Sequence, residues 1–554
     1  AEGKIPGDVG DTRFNFIRWV ISEEAGYAVA LFRPNPMTGE ILNASINVDG
    51  SLIQYFNVQR NDIVEPAVAF AKAAYSGAEI ASLLNLKVPL KQDMLSCKMG
   101  SDKRQAAAFG WQTLSLLRET GGAGNAKLNP QDYARQVLKE TVAHEFGHIL
   151  GLRHNFGAST QFTLAQLGNQ KVVSQGGIGA SVMDYNPFNI SALKHPGVDF
   201  FAQTIGTYDY WAIEYGYKPT PKAPTRPEEE KPFLAAIAHK AGQPGLSWLG
   251  DEATFTGVDP SVQTYDLSAD PIGYWEEVLQ ASRSSLNKLG SRLPKQGENY
   301  WRFTRGFGAL LQEYSKATGQ ISRFVGANRI ANVHKGDIGD KAVLSTEPVA
   351  QQKRAIALLN TYLFAPTALQ FPKEYFSHFT PKPGDLPGNY PIADSISNLQ
   401  KGALRRLLSG GVIAKVVNNE YKAQGGEALT LPYLFGTLKD NVWAEVGTGK
   451  NVGLLRRNLQ REHVGILTDM TLGGMSIPDD GRVIARAQLK TMQSQIGIAL
   501  RKPGLDEMTR LHYTDTLGKI ERTLTAKQTL GGGGGGGGMD LMSLLMGGKK
   551  KPQE

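Results

Sequence analysis

The sequence predicts an α+β fold: a twisted sheet and one long helix in the first 217 residues, followed by a largely helical region. Three observations predict it. Residues 13–48 hold β-branched and aromatic stretches separated by turn chemistry. A capped helix begins at Asn129 and Pro130. Beyond about residue 270, Leu/Ile/Ala-periodic segments recur between Gly, Pro and Asp.

Residues 13–22 (RFNFIRWVIS) and 27–33 (YAVALFR) read as strands, and Pro34 to Glu40 (PNPMTGE) as the turn after them. The stretch 41–48 (ILNASINV) alternates: Leu42, Ala44, Ile46 and Val48 share one face, while Asn43, Ser45 and Asn47 share the other. A strand with one polar face suits a sheet that is wet on one side, so 41–48 is expected at an edge. From about 62 to 120 the pattern is helical. The helix from Asn129 should run to about Leu150, where Gly151 supplies a left-handed stop; its length is roughly 30 Å. Residues 206–217 (GTYDYWAIEYGY) predict another helix, and 218–232, rich in Pro, Lys and Glu, a linker or surface loop.

The expected layout is a first domain over 1–217, a connecting region over 218–290, a helical C-terminal domain over 291–527 and a Gly-rich tail over 528–554. In that tail the glycine run 531–538 cannot hold a fixed backbone cheaply. At 554 residues the chain exceeds one ordinary core, which agrees with several domains.

Bulk composition excludes some classes. Hydrophobic content of 41% and charged content of 20% are ordinary for a globular chain. No apolar run reaches 18 residues, so no transmembrane helix is expected. The single cysteine, Cys97, excludes an intrachain disulfide. The net charge of +8 is scattered, with one dense run at Lys549 to Lys551, and reads as solubility rather than a nucleic-acid partner. The chain starts at Ala1 without Met or a leader-like segment, as expected if a leader was removed or if it is part of a longer chain.

The string HEFGHILGLRH, from His144 to His154, carries the chemistry. His144 and His148 are four apart on the predicted helix, so both imidazoles project from one face. Gly151 lets the chain turn, and His154 returns as a third ligand. Three neutral imidazoles leave a fourth position for water, which suits a catalytic rather than a structural zinc. Glu145 stands next to the first ligand and is the expected general base. In a chain with nine histidines this pattern arises by chance on the order of 10⁻⁵ times. The bland alternative, a surface Glu between chance histidines, is correspondingly weak.

Downstream stands SVMDY, with Met183 and Tyr185. HExxHxxGxxH followed by such a Met resembles the metzincin signature, in which the methionine sits on a turn beneath the metal. The Met183–Tyr185 spacing resembles astacins and serralysins, which implies that Tyr185 ligates zinc or steadies the oxyanion; a packed tyrosine in the pocket wall is the alternative. The stretches FNFIRWV, PMTGEIL, HEFGHILGLRHNF, SVMDYN, YDYWAIEYGY, RRNLQREHV and ARAQLKTM resemble the large bacterial zinc-dependent metalloproteases called the Met-zincin family, over most of residues 11–525. That resemblance implies a metzincin-like catalytic domain over 1–217, hydrolysis of polypeptide substrates by one zinc, and export from a bacterium to the periplasm, cell surface or exterior. It also implies that substrate lies along an edge strand, here Asn43, Ala44 and Ser45. The reading is an endopeptidase. The alternatives are a zinc-retaining scaffold without turnover and a non-peptide amidohydrolase.

Other residues are weaker candidates. Cys97 lacks the context of a thiolate plug. His195, His239, His334, His378, His463 and His512 are isolated and read as packing or surface. Asp251, Glu252, Asp259 and Asp266 form an acidic stretch that could bind calcium or be an acidic loop; Asp8 and Asp11 raise the same question.

Overall fold

Alternation near the N-terminus produces a three-stranded sheet in the computed structural model, which describes residues 11–20, 28–49, 99–118, 129–222, 224–339, 342–381, 384 and 390–526. Asp8, Cys97, the 62–98 part of the expected helical stretch and the glycine run lie outside them. The strands are β1 (Phe16–Val20), β2 (Ala28–Pro34) and β3 (Ile41–Asp49), in the order β1-β3-β2. β3 runs parallel to β1 and antiparallel to β2; Val48 faces Trp19 on one side and Ala28 on the other.

β3 is therefore central, not an edge. The edge position expected for Asn43, Ala44 and Ser45 is corrected by this pairing. Ser45 is matched by Phe16 on one flank and Leu31 on the other. The Asn43 side chain donates to the Phe14 carbonyl at 3.5 Å, and the Ala44 N–H donates to Asn15 Oδ1 at 2.8 Å. Nor is the polar face wet. Asn43 and Asn47 are buried, and Arg18 Nε donates to Asn47 Oδ1 at 2.8 Å. Ala44, Ile46 and Val48 do enter the core as the alternation requires, whereas Leu42 at the strand's start is half exposed.

The helices of eleven residues or more among the described residues are α1 (Met99–Arg118), α2 (Pro130–Ile149), α3 (Thr207–Tyr217), α4 (Pro271–Leu289), α5 (Trp301–Ser322), α6 (Val349–Leu359), α7 (Ile392–Leu407), α8 (Gly410–Lys422), α9 (Leu431–Val442), α10 (Leu454–Leu472), α11 (Asp479–Leu500) and α12 (Glu507–Thr525). A mostly helical chain with a small sheet is in keeping with the α+β class.

α2 packs on β2 and β3 and carries the histidine string. Its start is capped by Asn129, whose side chain accepts from the Gln131 N–H at 3.0 Å, with Pro130 in the first turn. α1 is tied to it by a buried ion pair, Lys103–Glu140, both side chains fully enclosed. Burial pushes Lys103 down and Glu140 up, and each opposes the other's shift. Lys103 also donates to the Asn186 carbonyl at 2.7 Å, joining α1, α2 and the loop after Met183.

α4 and α5 pack on each other and against α1. The period is legible in α5, where Phe303, Phe307, Leu310, Tyr314, Ala317 and Ile321 are all fully buried. Each large apolar side chain so enclosed is worth about 1.5–3 kcal/mol. α10, α11 and α12 stack on one another, and α7 joins them to α5. One continuous core runs from Ala44 and Ile46 in β3, through Tyr133 and Val137 in α2, to Tyr513 and Ile520 in α12. The region expected to be a connector over 218–290 thus contributes α4 to the core itself.

Candidate metal centre

The end of α2 turns by a Schellman motif. Leu152 N–H bonds to the Gly147 carbonyl and Gly151 N–H to the His148 carbonyl, each at 3.0 Å, with Gly151 at φ +83°. This turn brings His154 back toward His144 and His148. The ring centroids lie 4.7, 5.4 and 4.9 Å apart for 144–148, 144–154 and 148–154. One ligand atom from each of the three lies within 4.8 Å of the others. Among the described residues this is the one group of three His, Cys, Asp or Glu side chains so placed.

Each Nδ1 faces an oxygen: the Val182 carbonyl at 2.7 Å for His144, the Leu152 carbonyl at 3.0 Å for His148 and Asp251 Oδ1 at 2.9 Å for His154. A carbonyl can only accept, so Nδ1 of His144 and His148 carries the proton and Nε2 keeps its lone pair. Nε2 of His144 is buried and has no hydrogen-bond partner among the protein atoms. Burial, then the facing His148 and His154, hold His144 well below the ordinary histidine pKa; burial and His154 lower His148 to about 4. Neutral imidazole at pH 7 is the form a metal needs. The residues present therefore fit zinc.

Met183 is fully buried and lies against α2 at Gly147. Its turn is held by Asp209 in the first turn of α3. Asp209 accepts from Ser181 Oγ at 2.5 Å, Val182 N–H at 2.9 Å and Gly206 N–H at 2.8 Å. The backbone of Val182 thus connects Asp209, through its N–H, to His144, through its carbonyl. The Tyr185 hydroxyl lies 3.1 Å from His154 Nε2, and its ring packs edge-on to His154 with centroids 4.8 Å apart. Phe156, Val262 and Tyr265 complete this wall. Glu145 is fully buried.

The chain belongs to the Met-zincin family. That family's sequence profile matches residues 126–450, which spans α2, the Met183 turn and the helical region as far as α9. No curated protein and no solved structure matches the chain. The match crosses both expected boundaries, at 217 and at 290, as the continuous core does.

The acidic stretch does not form the calcium site weighed for it. Asp251 bonds to His154, and Glu252 pairs with Arg153 at 2.6 Å. Asp259 accepts from Ser261 and from the Ile330 N–H at 3.0 Å. Asp266 is fully buried, and burial pushes its carboxyl well up. Asp251 and Glu252 both face Arg153, and among the described residues these four carboxylates form no group of three or more placed to share an ion. Asp11 pairs with Arg13.

The remaining histidines stay apart from the triad. His239 and His334 flank Asp337, His378 packs on Tyr300 and Phe303, and His463 and His512 are buried in the C-terminal core.

Gly147 and Asp209 escaped sequence reasoning as site residues, and Asp251 was read only as a candidate calcium ligand, not as a partner of His154. A faint signal existed for Asp209, an acidic residue in a predicted first turn. Its tie to Ser181 and Val182, and the Asp251–His154 bond, are made only by folding. In this Met-zincin the segment 247–251 also clamps the loop that carries His154. Trp248 Nε1 donates to the His154 carbonyl at 3.0 Å, Phe156 N–H to the Leu249 carbonyl at 2.8 Å, and Asn155 Nδ2 to the Ser247 carbonyl at 2.9 Å.

Proposed function

We propose that this Met-zincin is a zinc endopeptidase, with His144, His148 and His154 as ligands and Glu145 as general base. One observation carries the reading: three imidazoles converge, two of them with Nδ1 committed to backbone carbonyls, beside a tyrosine hydroxyl. Zinc bound there supplies Lewis acidity, lowering the pKa of water and polarising the scissile carbonyl.

The chain's own residues would do the rest. Glu145 takes the proton from the attacking water and hands it to the leaving amine. Tyr185 donates a hydrogen bond to the oxyanion as charge develops there. The buried wall of Phe156, Val262 and Tyr265 excludes water and strengthens both interactions. The catalytic unit proposed here includes segment 247–268, beyond the 1–217 region expected from the sequence. Polypeptides met outside the bacterial cytoplasm are the substrates the family resemblance implies.

Chelation tests the reading. Purified protein should hold about one zinc per chain, lose cleavage of a denatured protein when the metal is stripped, and regain it when zinc returns. Stoichiometric zinc without cleavage of any polypeptide would favour a scaffold; cleavage of small amides alone would favour an amidohydrolase.

A further inference from the structure

We infer that Asp251 is the positioning residue of the metal centre: through Nδ1 of His154 it orients the third ligand and strengthens its grip on zinc. The inference rests on the proposed zinc site and adds a residue to it. The three ligands are not held alike. His144 and His148 sit on α2, and their rings are fixed by the helix backbone and by the carbonyls of Val182 and Leu152. His154 lies past the Gly151 turn, on irregular chain with no helix to aim it. It needs an external brace, and segment 247–251 supplies one.

That segment approaches from nearly a hundred residues downstream. The indole of Trp248 donates to the His154 carbonyl, and Leu249 N–H donates to Asn155 Oδ1 at 3.0 Å. With the chain pinned just after the ring, Asp251 at the start of the short helix Asp251–Thr256 reaches Nδ1 at 2.9 Å. The other two ligands face neutral carbonyls; His154 alone faces a carboxylate. A carboxylate accepting from Nδ1–H selects the tautomer with Nε2 free and makes that nitrogen a better donor. Glu252, the next residue, braces the same loop through Arg153 without touching a ligand.

The two neighbours give a matched test. Zinc affinity is measured by competition with a chromophoric chelator on the full chain, for wild type, Asp251→Ala, Asp251→Asn and Glu252→Ala. The visible spectrum of the cobalt-substituted proteins reports ligand geometry independently. Asp251→Ala should weaken zinc by about 10–100-fold and shift the cobalt bands. Asp251→Asn, which keeps an acceptor but not the charge, should fall between Asp251→Ala and wild type. Glu252→Ala should stay within about threefold of wild type.

Unfolding of the metal-free proteins shows whether each variant is folded; should Asp251→Ala fail to fold, Asp251→Asn against Glu252→Ala carries the comparison. Wild-type affinity in both Asp251 variants, or an equal loss in Glu252→Ala, would overturn the inference. A wild-type chain that binds no zinc would overturn the metal reading and this inference with it.

Discussion

The sulfur of Met183 occupies the space that a Cβ on Gly147 would need. Gly147 stands between Phe146 and His148 in the string His144–Glu–Phe–Gly–His148, so the contact joins α2 directly to the Met183 turn. Gly147→Ala should therefore cost about 1–3 kcal/mol by overpacking. Denaturant unfolding checks this. Met183→Ala in the same chain should recover part of the loss, because the two sites share one contact. A Gly147→Ala protein as stable as wild type would contradict the packing.

Asp209 should matter as much to the site as to the fold. Its carboxylate satisfies Ser181, Val182 and Gly206 in a buried setting, and the Val182 carbonyl in turn receives His144 Nδ1–H. Asp209→Ala leaves buried donors without an acceptor, a loss on the order of 3 kcal/mol. Zinc affinity should fall with it, and Asp209→Asn should lose less of both. The measurements are denaturant unfolding and chelator competition.

Tyr185→Phe removes one hydroxyl from a ring that stays packed against Phe156 and Tyr265. Turnover should fall by about 10²-fold, with zinc content unchanged and the loss in kcat rather than KM. Unchanged turnover would leave Tyr185 as a wall residue only.

Acid should destabilise the helical region through two histidines outside the His144–His148–His154 group. Burial lowers His463 to about 3 and His512 to about 4. Because the folded values lie below the unfolded one of about 6.5, the unfolded chain binds more protons in between. Stability is full above pH 6.5 and declines as pH falls, by about 1.4 kcal/mol per pH unit for each histidine. The decline levels off near 4 for His512 and near 3 for His463. A His463→Gln variant should show a shallower decline between pH 6.5 and 4.5; equal slopes would contradict the assignment.

The site was legible in the sequence wherever its chemistry is local. His144, His148 and Gly151 lie within one helix and its stop, so helical spacing and a left-handed turn were enough. His154 was found because the HExxHxxGxxH pattern carries a fixed spacing, and Met183 because SVMDY resembles a Met-turn. Gly147 went unnoticed because a glycine inside a helix reads as tolerance, not as room for a sulfur. Asp251 was weighed as a calcium ligand, since an acidic stretch looks alike whether its carboxylates converge or separate.

The sheet shows a second limit on what is local. Alternation in residues 41–48 identified the strand and its buried Ala44, Ile46 and Val48. It could not say that β1 would pair on the far flank, because strand order is a long-range property. The polar face was read as wet, yet Asn47 meets Arg18 instead of water. The boundaries at 217 and 290 followed loop composition, but the core crosses both, since α4 packs on α1 and α5.

Comparison of wild type with Glu145→Ala tests the central claim most directly. Both proteins are assayed for bound zinc and incubated with a denatured protein mixture. The proposed peptidase predicts about one zinc in each and cleavage by wild type alone. Cleavage at the wild-type rate by Glu145→Ala would contradict the role given to Glu145, and zinc in both without cleavage by either would contradict the peptidase itself.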